Sequence, residues 1–172
     1  MTIETIRPFL LASVFAVLTM ASSTGFGVAF GAFEDDMKGG LKASADAVVA
    51  TVYGGDEAKA KAVVDKSWVY YKRAHLHAGA LGTEALALIL LLAALSSVSV
   101  RLRQAAALSS ALGGLGYGWF WYFAGRAAPA LGGTGAAKES LSFLALPSVT
   151  LILVGTVLSL VCIGLAFRKP RA

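Results

Sequence analysis

The side chains of this sequence best able to do chemistry gather in one stretch, Lys72-Arg73-Ala74-His75-Leu76-His77-Ala78-Gly79, followed by Gly82-Thr83-Glu84. Both histidines of the chain are here, with Tyr71 just before them. On a helix Arg73, His77 and Glu84, at i, i+4 and i+11, fall near one face. His75 points about 200° away from His77. One regular helix therefore cannot turn both imidazoles to a single metal. A haem held by two histidines of the same chain would need another histidine on a facing helix, and the sequence has none. Haem b would need His77 or His75 with a methionine, a five-coordinate iron, or one histidine from each of two chains. Copper would take His77 or His75 with Met37 and the acids at 34–36. A quinone head group could use the same region. Arg73 and Tyr71 flank all of these candidate sites. The alternative is an interfacial histidine bonded to backbone, lipid headgroup or tyrosine.

Glu84 lies about 15 Å inside a span that starts at residue 74. A charge at that depth costs about 2.5–3.5 kcal/mol on insertion scales, so it should turn away from lipid and often marks function. The spacing therefore predicts Glu84 and His77 facing the bundle interior, with His75 meeting the interface or a partner chain. Thr24, Tyr117 and Thr150 fall at similar depth and could hydrogen-bond the carboxyl. It would then serve as a proton carrier or as glue between helices.

The elements that position these groups follow from composition. The 172 residues are 57% hydrophobic and 15% charged, against about 25% charged in soluble domains. Mean hydropathy is +0.72. A disordered chain is excluded and a soluble enzyme disfavoured. The lone Cys162 excludes an intrachain disulfide framework and a multi-cysteine zinc site. Four apolar runs are long enough to cross a bilayer as helices, at about 8–33, 74–100, 104–125 and 144–167. They are continuously apolar, which disfavours strands. The first run is about twice the length of a signal-peptide core, so it reads as a retained span. The expected fold is all-α: a single membrane domain, 1–172, built as a four-helix bundle.

Charge gives the orientation. The N-terminus, the turn between spans two and three, and the C-terminal tail share one side. They hold Arg7, Arg101, Arg103, Arg168, Lys169 and Arg171 against one acid, Glu4. The other side carries nine basic residues and eight acids. The positive-inside rule then puts both termini in the cytoplasm of a bacterial inner membrane. These basic residues are topology signals, and no aromatic stacking platform for nucleic acid accompanies them. Trp68, Tyr70, Tyr71, Tyr117, Trp119, Trp121 and Tyr122 fall together at the outer interface, where amphipathic rings are favoured.

Residues 34–73 form the outer polar segment. Leu41, Ala45, Val48, Val49 and Val52 recur at helical spacing, predicting a short amphipathic helix on the membrane or the bundle. Gly54-Gly55 ends it. Asp56-Glu57 opens a new helix with acids in its first turn. No proline follows, so continuous helix is expected from about 58 to 98, projecting beyond the bilayer. The connection around Pro129 and Gly132-Gly133-Thr134-Gly135 reads as a flexible loop. Ser23, Gly27 and Gly31 on span one and Ser110, Gly114 and Gly118 on span three make these two the expected tight pair. There is no Ser–His–Asp spacing, phosphate loop or His-Glu-x-x-His, so nothing indicates an enzyme acting by itself.

The segment Arg73-Ala-His-Leu-His-Ala-Gly-Ala-Leu-Gly82 resembles Ala-His-x-His stretches of membrane proteins similar to haem–copper oxidase subunit I. It covers ten residues. The resemblance implies a respiratory membrane with haem or copper and transfers no catalytic role. More broadly the chain resembles bacterial four-span membrane proteins. The leading expectation is a small membrane subunit of a respiratory or metal-handling system, binding haem, copper or quinone near His75 and His77. The alternatives are a structural or assembly subunit without cofactor, and a proton-coupled transporter using Glu84. Expected partners are the lipid bilayer and either a second copy or a larger membrane complex.

Overall fold

A computed structural model of the chain describes residues 3–168. Two of the basic residues used for orientation, Lys169 and Arg171, lie outside the described residues. The fold is all-helical, with no strand among the described residues. Helix α1 (Ile3–Ile6) leads through a 3₁₀ turn at Arg7–Phe9 into α2 (Leu10–Ala32). Next come α3 (Glu34–Asp46) and α4 (Val49–Val52), then the long α5 (Glu57–Ala94). α6 (Val100–Ala127), the short α7 (Thr134–Ser140) and α8 (Ser142–Arg168) complete the chain.

Among the described residues three helices are long and apolar enough to cross a membrane: Ile3–Ala32, Glu57–Ala94 and Ser142–Arg168. α6 has 28 residues but is not one of them, and its place in the fold explains why. It packs against α2, α5 and α8 together. Its buried face is Ala106, Ala107, Ser110, Gly113, Gly114 and Gly118. Small residues let backbones approach closely, and a helix facing protein on most sides needs less apolar bulk than one facing lipid. The outward faces of α2 and α8 are the opposite case. Leu10, Leu11, Val14, Val17 and Leu18 on α2, and Leu153, Val157 and Leu160 on α8, stand exposed. Such long aliphatic strips fit lipid contact.

α5 is continuous through residues 66–77, as its lack of breakers predicts. It ends about a turn sooner than expected, where Leu95 leaves helical geometry at ψ 57. Its start is capped by the Asp56 side chain, which accepts from the Lys59 N–H at 2.8 Å. Its last carbonyls are capped by Arg103. The guanidinium donates to Leu92 O at 2.8 Å, Ala93 O at 3.2 Å and Val98 O at 3.1 Å. Arg103 is therefore buried, satisfying backbone groups that would otherwise be orphaned.

The two small-residue stripes meet a shared partner, α5, rather than each other. A Cβ at Gly27 would touch the His75 ring at 3.0 Å, and one at Gly79 would meet Ser23 Oγ at 2.9 Å. On α6, a Cβ at Gly114 would reach Leu81 at 3.1 Å and one at Gly118 would reach Ala78 at 3.0 Å. Gly31 has nothing within 4 Å, while Ser110 closes onto Gly155 of α8. Sequence spacing identified the small faces; the pairing depends on the rotation of each helix.

The connections depart from expectation in two places, the first being that the single helix expected through residues 41–52 breaks at residues 47–48 into α3 and α4. α3 does lie on the protein, burying Leu41 and Ala45 against α5. Gly54 and Gly55 make the turn with φ of 64 and 84, which glycine alone adopts without strain. The connection after α6, however, is packed rather than loose. Pro129 is buried, and its carbonyl accepts from Tyr53 OH at 2.6 Å. Thr134 and Ala137 of α7 are buried as well. The glycines around 132–135 read as a loop, and the tertiary contact from Tyr53 supplies the order that local sequence lacks.

Candidate functional site

The two histidines project from opposite sides of α5, as their spacing requires. His75 faces α2. Its Nδ1 donates to the Ser23 carbonyl at 2.8 Å, and Ser23 Oγ donates to the His75 carbonyl at 2.8 Å. A carbonyl only accepts, so the hydrogen sits on Nδ1. The ring fills the space above Gly27 and meets Phe30 edge-on at 6.3 Å. This is a reciprocal clamp between α2 and α5. The expectation that His75 would meet the interface or a partner chain is thus corrected: it is the histidine fixed between helices.

His77 faces α6. Its ring stacks on Trp121 at 5.8 Å and 21°, and meets Tyr117 edge-on at 5.2 Å. It is half-buried and makes no hydrogen bond to a described residue. One turn outward, the Arg73 guanidinium lies 4.9 Å from the Trp121 ring and 5.3 Å from Tyr70, within cation–π range. Trp121 is 9% exposed, yet its buried Nε1 has no hydrogen-bond partner. An unpaired buried donor costs about 1–3 kcal/mol. The sequence placed Trp121 in the aromatic belt but gave no sign of this donor. Its position four residues after Tyr117 on α6 is the signal that groups the two rings.

Tyr71 belongs to the other side. It stacks between Phe30 at 6.1 Å and Tyr122 at 5.0 Å. It also lines a cavity of about 400 Å³ with Asp36, Met37, Gly40, Tyr122 and Arg126. Met37 thus keeps company with tyrosines and Arg126, while each histidine is engaged elsewhere. The set His77, His75 and Met37, predicted as metal ligands, is divided among three places. No group of three or more His, Cys, Asp or Glu is close enough to hold a metal among the described residues.

Glu84 corrects the sequence reading most sharply. It is exposed and makes no hydrogen bond or ion pair with any described residue. Thr24 and Thr150 are exposed too, Thr24 Oγ1 bonding its own helix at Met20 O, and Tyr117 is taken up by His77. The inward turn of His77 holds and that of Glu84 does not, although they lie almost in line along α5. The difference comes from α6. Beside His77 it offers the large rings of Tyr117 and Trp121. Two turns deeper it offers Ser110, Ala111 and Gly114, which cannot reach around the edge of α5.

What converges is therefore an aromatic corner, Tyr117 and Trp121 standing at 84° to each other, that carries an imidazole, a guanidinium and an indole N–H where the first half of α5 packs on the second half of α6. Donors against aromatic faces suit a planar ligand with acceptor oxygens. Compared with family models, curated proteins and solved structures, the chain matches none.

Proposed function

We propose that this chain is a small four-span subunit of a bacterial inner membrane, with both termini cytoplasmic and residues 34–73 outside. We further propose that it binds a quinone head group between Arg73, His77, Tyr117 and Trp121. The observation that carries this reading is the pair of unused groups on one seam: the half-exposed His77 imidazole and the buried, acceptorless Trp121 Nε1. A quinone carbonyl accepts hydrogen bonds, its ring stacks on an indole or phenol, and its isoprenoid tail belongs in lipid. Haem and copper draw less support from the same geometry, because His75 and His77 leave α5 on opposite sides, toward α2 and α6, and Met37 stands with Tyr71 and Arg126.

The test is titration of the purified protein in lipid nanodiscs with a short-chain benzoquinone analogue, read by tryptophan fluorescence. Saturable quenching is expected, with affinity reduced about ten-fold or more in His77→Ala, the loss of one strong hydrogen bond from a buried site. Lys61→Ala, in the solvated start of α5, should leave it unchanged. Equal affinity in all three proteins would overturn the reading. A Soret band in the purified protein would move it to haem.

A second reading, a structural or assembly subunit without cofactor, is favoured by one observation. Through its Nδ1–H and its backbone carbonyl, His75 ties α5 to Ser23 of α2.

A further inference from the structure

Glu84 is an exposed acid whose side chain has no partner among the described residues, in the second half of a helix long and apolar enough to cross a membrane. Its level follows from three helix contacts. Gly82 packs on Met20 and Ala16 of α2, Leu81 on Gly114 of α6, and Gly113 on Ile152 of α8. Residue 84 therefore lies close to the middle of α2 (Leu10–Ala32) and α8 (Ser142–Arg168). At that level the outward strips of α2 and α8 are large aliphatics such as Val17, Leu18, Leu153 and Val157. The outward strip of α5 is different: Ala80, Thr83, Glu84 and Ala87. Thr83 Oγ1 is already spent on the Gly79 carbonyl at 2.9 Å.

We propose that a second copy of this chain covers this strip. The two copies are related by a two-fold axis along the membrane normal, and their Glu84 carboxyl groups meet in the middle of the bilayer. The choice of occupant follows from the chemistry of the acid. A neutral carboxyl group offers both a donor and an acceptor, so two of them complement each other. A two-fold axis brings each residue to its own copy at equal depth, which is the isologous arrangement of most homodimers. Ala80 and Ala87, one turn above and below, keep the backbones free to approach, as close helix pairs in membranes require. A lipid tail would leave the carboxyl unpaired. The proposal rests on α5 crossing the bilayer, and it is independent of any ligand at His77.

The experiment uses the full chain in vesicles, labelled at Thr51→Cys on the outer connection, with Cys162 buried and unreactive. Energy transfer between donor- and acceptor-labelled copies is followed as the protein-to-lipid ratio falls. A saturating transfer is expected, kept in Glu84→Gln, whose amide also donates and accepts. Glu84→Leu should need about ten-fold more protein per lipid to reach the same transfer, the scale of a polar contact between membrane helices. The Glu84 side chain is exposed and makes no hydrogen bond or ion pair with a described residue, so both variants should fold, checked by unchanged helicity. Transfer absent at every ratio, or identical in Glu84→Leu, overturns the dimer. A separate Glu84→Cys protein should cross-link to itself under oxidation and resist a water-soluble maleimide. Reaction with that maleimide would overturn the spanning of α5 itself, a failure distinct from loss of the pairing.

Discussion

At the residue scale, His75 and Gly27 form one unit. The imidazole occupies the volume that a Cβ on Gly27 would claim, at 3.0 Å, and the Nδ1–H bond to Ser23 O prevents the ring from swinging away. Overpacking of this kind costs about 1–3 kcal/mol. Gly27→Ala is therefore expected to lower stability by about 1 kcal/mol, measured by unfolding in mixed detergent. In a His75→Ala background the same substitution should cost close to nothing, and Gly25→Ala, with no neighbour within 4 Å, should be neutral in both. Equal cost of Gly27→Ala in the two backgrounds would show that the ring is not what the glycine accommodates. The sequence displayed both halves of this unit, Ser23-x-x-x-Gly27 and His75, and the angle between the histidines. It did not display their partners, because the rotation of α5 about its axis is set by α2 and α6 together. The same missing rotation turned Glu84 inward in the sequence reading: the cost of a charge in lipid says only that it should be covered, and not by which chain.

At the element scale, one tyrosine ties the connection before α5 to the connection after α6. Tyr53 is buried beside Ala45 and Ala60, and its hydroxyl donates to Pro129 O, joining the turn before α5 to the connection after α6. Burial raises its phenol above the ordinary value of 10.0. The sign follows from linkage. With the folded pKa raised, the contribution is fully present below the unfolded pKa of about 10 and is lost as pH rises past it. Hydrogen exchange should show residues 34–56 and 129–140 keeping their protection up to about pH 10 and losing it together above. Tyr53→Phe should loosen both segments already at pH 8, by about 1 kcal/mol. Independent loss of the two segments would separate them. The sequence made an amphipathic helix before Gly54, the Gly54-Gly55 break and the helix start at Asp56-Glu57 legible, since periodicity, glycine pairs and first-turn acids are local signals. α7 was not legible, because the helix-poor residues at 132–135 take their order from packing on Val52 and from the Tyr53 bond to Pro129, 76 residues away in sequence, as well as from backbone bonds to the end of α6.

At the scale of the whole molecule, length and continuous apolarity made α2, α5 and α8 plain in the sequence, since a bilayer demands both from any helix that faces it. α6 is the instructive element. By apolarity alone it falls short, and its basic Arg101 and Arg103 and its run of glycines would look unfavourable to a membrane inserting helices one at a time. Yet its contacts run the depth of the molecule, from Arg103 under the last turn of α5, through Gly114 on Leu81, to Gly125 against Ser67, Tyr70 and Tyr71. Under the proposed four-span arrangement, a helix paired in this way with α5, antiparallel along its length, crosses with it. A reporter fused after residue 132 is therefore expected to read the same side as one at residue 55, outside, while a fusion at the C-terminus reads the cytoplasm. Because α6 depends on its neighbours for an apolar environment, disrupting its seat on α5 should weaken its insertion. Gly118→Leu, which drives a side chain into Ala78 at a position already 3.0 Å from a Cβ, should shift part of the residue-132 reporter to the cytoplasmic side and leave the residue-55 reporter in place. A cytoplasmic signal at 132 in the unmodified chain would remove α6 from the membrane. It would reduce the spans to three and place the C-terminus outside.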